Sequence, residues 1–144
     1  MMETDKPLYD KKHIKFLEKL WGDGYLSPGG TGEVNKLLKS IDLSNKIVLD
    51  IGCGSGGITT SLVTDYKAKK VIGIDVEEDV CAAARSRVAR SGLQNKIDIL
   101  KVNSGKFPFK DLKFDIVFSK DSIVHIADKE SLSKEIFRVL KLEG

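Results

Sequence analysis

Apolar positions recur along the chain in two rhythms. From Tyr9 to Trp21, the residues Ile14, Leu17, Leu20 and Trp21 fall at helical spacing and predict a first amphipathic helix. The stretch Gly22-Asp23-Gly24-Tyr25-Leu26-Ser27-Pro28-Gly29-Gly30 is dense in turn residues and predicts an ordered loop. Val34, Leu37, Leu38 and Ile41 then mark a second helix. After these the rhythm shortens. Lys46-Ile47-Val48-Leu49-Asp50-Ile51-Gly52 is a short apolar run of the kind that forms a strand buried on both faces. A helix (Ile58, Leu62, Val63, Tyr66), a strand (Val71-Ile72-Gly73-Ile74-Asp75) and a helix (Val80, Ala84, Val88) follow, then strands at Ile97–Val102 and Phe114–Phe118. The last helix carries Leu132, Ile136, Val139 and Leu140 on one face, with Asp128 as its N-cap. The segment Ser104–Lys113 is short and holds Pro108, so no helix is expected there.

Strands alternating with helices predict an α/β fold with a largely parallel, Rossmann-like, doubly wound sheet. The organisation expected is a single domain, 1–144, with N-terminal lid helices and loop over 1–43 and a ligand-binding core over 44–144. Leu140-Lys141-Leu142-Glu143-Gly144 reads as a helix C-cap or turn that leads into another strand. A sheet ending there would leave Phe114–Phe118 as an apolar edge. The expectation is therefore a truncated domain, or one that covers this edge by self-association.

Composition narrows the partners. The 144 residues are 41% hydrophobic and 31% charged, which fits a globular protein and argues against wholesale disorder. A net charge of +3 is mild, and lysines such as Lys11, Lys36, Lys69, Lys101 and Lys134 are interleaved with acids, so no nucleic-acid partner is expected. No apolar run approaches the roughly 20 residues of a membrane span, and the N-terminal residues carry charges where a signal peptide needs an apolar centre. The cytoplasm is the expected location. Cys53 and Cys81 make no disulfide framework and have no partner at metal-ligand spacing, so both are read as small buried residues and no metal is expected.

The chemistry concentrates where the first core strand gives way to a helix. In Asp50-Ile51-Gly52-Cys53-Gly54-Ser55-Gly56-Gly57 the glycines let the backbone turn sharply and let a ligand lie against it beside a helix N-terminus. Asp75 closes the second strand, 23 residues after Gly52. In a doubly wound sheet that places its carboxylate beside the loop, ready to accept hydrogen bonds from ribose hydroxyls. Gly52, Gly54 and Gly57 also satisfy the dinucleotide fingerprint, so a nicotinamide cofactor is a competing reading. Asp50 separates the two. A carboxylate is repulsive beside a pyrophosphate but favourable beside the cationic amino-acid end of S-adenosylmethionine, directly or through water.

Asp-x-Gly-x-Gly-x-Gly resembles motif I of class I S-adenosylmethionine-dependent methyltransferases. Two further segments sharpen the likeness. Gly24-Tyr25-Leu26-Ser27-Pro28-Gly29-Gly30 resembles the (Tyr/Phe)-(Ile/Val)-Ser-x-Gly-Gly loop of phosphoethanolamine N-methyltransferases of plants, nematodes and malaria parasites. Ser119-Lys120-Asp121-Ser122-Ile123-Val124-His125 resembles that family's Ser-Arg-Asp-x-Ile-x-His signature, and Tyr9 precedes the loop at the distance of its catalytic tyrosine. The resemblance covers nearly the whole chain. It implies Tyr9 and His125 as a catalytic pair that closes the site and handles the amine proton, with Asp121 facing the cationic amine. It implies Leu26 and Ser27 against the cofactor's methionine part, Gly52 and Asp75 at its backbone and ribose, and Val76 at its adenine. Cys53, Gly54, Asn103, Ser104 and Lys120 complete the implied cofactor set with Asp50. Departures from the family pattern are Leu8 and Leu17 in place of its Gln and second Tyr, the lack of an aspartate in Val102-Asn103-Ser104, and Lys120 in place of arginine. The family's phosphate-gripping tyrosine, arginine and lysine come from a later half of the fold that this sequence does not reach.

The function implied is methyl transfer from S-adenosylmethionine to a small molecule, most simply an amine of phosphoethanolamine type. An amine that is mostly protonated at neutral pH must lose a proton before it attacks, and an imidazole is a suitable acceptor. Asp121 and His125 are four apart, so one helical turn would put them on one face. Two other readings stand beside this one: an NAD(P)-dependent oxidoreductase, and a module that holds cofactor without turnover.

Overall fold

The structure, a computed structural model, describes residues 9–123 and 126–144. Among the described residues nine elements follow one another: α1 (Lys11–Trp21), α2 (Gly30–Leu38), β1 (Ile47–Ile51), α3 (Gly57–Thr64), β2 (Lys70–Asp75), α4 (Glu78–Arg90), β3 (Ile97–Lys101), β4 (Ile116–Ser119) and α5 (Lys129–Val139). The four strands pair in the order β3-β2-β1-β4, all parallel. This is the Rossmann-like α/β sheet that the alternation predicts.

Alternate residues of the two inner strands feed two separate cores. Val48 and Val71 join the core made with Val34 and Leu38 of α2, Leu62 and Val63 of α3, and Cys81, Ala84 and Val88 of α4. Leu49, Ile51, Ile72 and Ile74 point the other way, into Phe107, Phe109 and Phe114 and the α5 residues Leu132 and Val139. Burial on both faces is why these strands read as continuous apolar runs rather than as alternating ones. The 104–113 segment contains no helix and is fastened instead by α5. Glu135 accepts from the Phe107 N–H at 2.7 Å, and Arg138 donates to the carbonyls of Phe107 and Phe109.

Several element ends differ from the pattern. The first helix starts at Lys11, not Tyr9, because Asp10 caps it by accepting from the His13 N–H at 2.8 Å. The second helix includes Gly30 and stops at Leu38; Ile41 lies beyond it, half exposed, and Leu43 fills the core instead. Tyr66 falls past the end of α3, and Val102 past the end of β3. β4 begins at Ile116 because Phe114, fully buried, bridges in parallel to Leu140 rather than joining β1. Leu140 is thus not a helical residue but the extended cap of α5, and Gly144 is not the helix cap. Asp128 does cap α5, accepting from the Ser131 N–H at 3.0 Å. Among the described residues no helix is long and apolar enough to cross a membrane.

Leu49 and Leu37 provide a paired test of these assignments. Leu49→Ala, at a site with no solvent exposure on the central strand, should cost about 2–5 kcal/mol. Leu37→Ala, 51% exposed on α2, should change stability by no more than about 0.5 kcal/mol. Urea denaturation of the two variants measures both.

Candidate functional site

The glycine loop is set by one acceptor. The carbonyl of Ile74 receives the N–H groups of both Gly52 (2.8 Å) and Cys53 (3.0 Å), which turns the chain over the end of β2 as it leaves β1. Gly52 takes φ +72°, and a Cβ there would stand 2.2 Å from the Ser122 Cβ, so only glycine fits. The Asp75 carboxylate stands beside this turn. It accepts from the Gly54 N–H at 3.3 Å and the Glu77 N–H at 3.1 Å. A carboxylate offers about four lone-pair positions, so acceptor capacity remains for a diol. Burial pushes its pKa up, against the pull of the backbone hydrogen bonds from Glu77, Gly54 and Val76.

A cavity of about 670 Å³ opens above the carboxyl ends of β1 and β2, a size and position at which α/β sheets hold cofactors. Tyr9, Leu26, Ser27, Gly52, Cys53, Gly54, Asp75, Val76, Asn103, Ser104, Lys120 and Asp121 all line it. The structure therefore gathers around one cavity residues that lie as much as 112 positions apart, from Tyr9 to Asp121. His125 lies outside the described residues. Sequence reasoning passed over Ser55, Glu77, Phe107, Asp128 and Ser131, which also line the cavity. Ser55 had a signal, as a hydroxyl inside the glycine loop; it is buried, and its Oγ has no hydrogen-bond partner among the described residues. Glu77 had one too, two residues after Asp75. Its carboxylate accepts from the Tyr9 N–H at 2.9 Å and so anchors the start of α1.

Asp50 is placed differently from the other motif residues. It does not line the cavity but lies behind the loop, 2% exposed, where it accepts from the Thr59 hydroxyl of α3 at 2.8 Å. From there it can act on the cavity through the field across the loop rather than by direct contact. Desolvation, partly offset by the Thr59 bond, pushes its pKa up to about 7.

On the opposite wall the side chain of Lys120 is nearly buried. It donates to the Ser27 hydroxyl (3.3 Å), the Pro28 carbonyl (3.1 Å) and the Asp121 carboxylate. Asp121 also accepts from the Ser27 hydroxyl at 3.0 Å, and these contacts, Lys120 foremost, hold its pKa below the usual carboxylate range. It is a carboxylate at neutral pH, half open to the cavity. Its backbone sits at φ +61°, in the left-handed region. The single helical turn expected from Asp121 onward is therefore not formed at its first residue.

Residues 48–144 match the methyltransferase domain family. Over 141 residues the chain is 32% identical to phosphoethanolamine N-methyltransferase 1 of Zea mays, an alignment that covers 97% of this chain and 28% of that enzyme. Among solved structures, Haemonchus contortus phosphoethanolamine N-methyltransferase 2 in complex with S-adenosyl-L-methionine superposes with a TM-score of 0.87 at 29% identity, over 95% of this chain and 32% of the other. The same nematode enzyme, in complex with phosphomonomethylethanolamine and S-adenosylhomocysteine, gives 0.82 at 30% identity, over 89% and 30%. The chain thus spans about three tenths of the length of these relatives.

The position of Asp50 has a consequence for pH. Its folded pKa, about 7, lies above its ordinary value of 3.8, so the unfolded chain gives up this proton first as pH rises. The stability that neutral Asp50 contributes is present below about pH 4 and lost as pH climbs through about 7. Asp50→Asn keeps the shape and removes the titration. Relative to the parent, its urea midpoint should rise steadily between pH 4 and 7.5; parallel curves would place the Asp50 pKa elsewhere.

Proposed function

The chain belongs to the methyltransferase domain family, and on that premise we propose that it binds S-adenosylmethionine and serves methyl transfer to a small-molecule amine of phosphoethanolamine type. The observation that carries this reading is the convergence of the glycine loop, Asp75, the 25–27 loop and the Lys120–Asp121 pair on one cavity. When bound, the cofactor supplies an electrophilic methyl group on a cationic sulfur. The chain's own residues hold and align. Asp75 accepts from the ribose hydroxyls, while Val76, Asn103 and Ser104 flank the adenine. Gly52, Cys53 and Gly54 allow close approach of backbone, and Leu26, Ser27 and Lys120 enclose the methionine part. The fit is supported by the open acceptor capacity of Asp75, by the Ser55 hydroxyl, unpaired among the described residues, and by the apolar Val76 side chain, 56% exposed.

Tyr9, Asp121 and His125 are assigned to the acceptor. Asp121, ionised and half open, faces the ammonium form of the amine; His125 takes the proton that must leave before attack. Tyr9 closes the site from the head of α1. Alignment of nucleophile and methyl group in a site shielded from water supplies the larger share of the rate, and proton removal the smaller. The acceptor is a small molecule rather than a nucleic acid or a membrane. The outer side of β4 is where copies of the chain would associate if no later part of a longer chain covers it. Residues 1–43 act as the lid and 44–144 as the cofactor-binding core. Family membership sets aside the nicotinamide-dependent reading. A chain that holds cofactor and shows no turnover would be the non-catalytic module.

Isothermal titration with S-adenosylmethionine, S-adenosylhomocysteine and NAD, followed by a methyl-acceptor assay with phosphoethanolamine, tests the proposal. Asp75→Ala should weaken S-adenosylmethionine binding by about 1.5–3 kcal/mol, the cost of losing a buried acceptor for two hydroxyls. An unchanged dissociation constant in the folded variant would remove Asp75 from the site. Tyr9→Phe and His125→Ala should leave cofactor affinity nearly intact and lower turnover by about 10²-fold or more, the usual size of a general acid–base contribution. Unaltered turnover would make both residues structural.

A further inference from the structure

Arg87 stands in the last turn of α4 and does not line the cavity, yet it ties α4 to α1, to the loop after α1 and to the glycine loop. Its guanidinium makes four hydrogen bonds. Nε donates to the Ser55 carbonyl in the glycine loop at 3.0 Å, and Nη2 to Glu18 of α1 at 3.1 Å. The other two go, fork to fork, to the carboxylate of Asp23 at 3.2 and 2.5 Å. Glu18 in turn accepts from the Gly24 N–H at 2.8 Å. Beneath the guanidinium two glycines meet without side chains, and the Gly57 N–H donates to the Gly24 carbonyl at 3.0 Å. A Cβ on Gly57 would stand 2.4 Å from that oxygen, and one on Gly24 would stand 2.8 Å from the Arg87 guanidinium carbon. The side chains of Arg87 and Glu18 are both largely shielded, at 14% and 18% exposure, so this charge cluster is less screened than a surface pair.

Nothing in the sequence motifs points to Arg87, and its partners span both sides of the site. Glu18, Asp23 and Gly24 belong to the segment that delivers Leu26 and Ser27 to the cavity; Ser55 and Gly57 belong to the glycine loop that faces them. We propose that Arg87 is a positioning residue, which docks the 22–27 segment onto the glycine loop and thereby sets the wall that encloses the methionine end of the cofactor. This rests on the cofactor reading given above. In that reading the adenosine end is held by Asp75 and Val76, and the hydrogen bonds of Asp75 go to the N–H groups of Gly54 and Glu77 rather than to Arg87, Glu18 or Asp23, so the effect of Arg87 is expected at one end of the ligand.

That asymmetry provides the test. S-adenosylhomocysteine and adenosine are titrated against the parent chain, Arg87→Met, Arg87→Lys and the Glu18→Gln/Asp23→Asn pair, with circular dichroism to confirm folding. Arg87→Met should weaken S-adenosylhomocysteine about tenfold or more and leave adenosine within twofold. Lysine keeps the charge without the fork, cannot reach Ser55, Glu18 and Asp23 together, and should recover little of the loss. The Glu18/Asp23 pair, near-isosteric replacements that remove the charges facing Arg87, should reproduce the direction of the effect. It should also raise amide exchange over residues 22–27 and leave β3 unchanged. Equal losses for both ligands, or no loss in folded Arg87→Met or in the Glu18/Asp23 pair, would overturn the proposal. A parent chain that binds neither ligand would instead overturn the cofactor reading, and amide exchange over residues 22–27 would then decide the docking role alone.

Discussion

The Ile74 carbonyl, shared between the N–H groups of Gly52 and Cys53, is the contact on which the geometry of the site depends. It ties the end of the central strand to the end of its neighbour. The turn of the glycine loop and the carboxylate of Asp75 are therefore fixed at the same height above the sheet. The parallel register, with Ile51 opposite Ile74, makes this possible without strain on either strand. Gly52 in the left-handed region and Ser122 packed against it then seat the end of β4 on the same turn, where Ser119 and Ser122 both donate to the Ile51 carbonyl.

Around this fixed point the polar groups divide into those that meet the cavity and those that shape it from behind. Asp75, Lys120 and Asp121 meet it. Asp50, Arg87 and Glu135 do not, yet each fastens a piece of wall: the loop through α3, the 22–27 segment through α4, and the Phe107 segment through α5. Buried polar networks of this kind hold a unique arrangement only when every member is satisfied, and among the described residues Ser55 Oγ is the buried side-chain atom left without a partner.

What the sequence revealed follows from locality. The strand-loop-helix order, Gly52, Gly54 and Asp75 were legible because turn chemistry and strand ends are set within a few residues. The placement of Asp50 was half legible. Strand alternation puts it on the face of Val48, toward the helices, but the motif drew attention to the ligand instead. Ile41 misled because helical spacing does not record where a chain must leave the helix to reach its strand, and Leu43 took the core position. Phe114 misled in the same way, its apolar run continuing past the point where pairing with β1 begins. Arg87, Glu77 and Tyr9 form contacts across 64 to 69 positions between ordinary charged or polar residues, and no local pattern marks such pairs. The left-handed Asp121 was likewise hidden, since its side chain meets Ser27, 94 positions away, and no local pattern marks such a residue.

The all-parallel sheet also orders events in time. No strand can pair through a hairpin, so each pairing closes a loop: 23 residues from Ile47 to Lys70, 26 from Val71 to Ile97, but 68 from Val48 to Ile116. Closing the last costs about 1 kcal/mol more entropy than the first, and its strand leaves the ribosome last of the four. The glycine turn and Asp75 can thus be assembled while β1 still has an open flank, and Lys120 and Asp121 arrive afterwards. Assembly of the cavity runs from the glycine loop toward the Lys120–Asp121 pair.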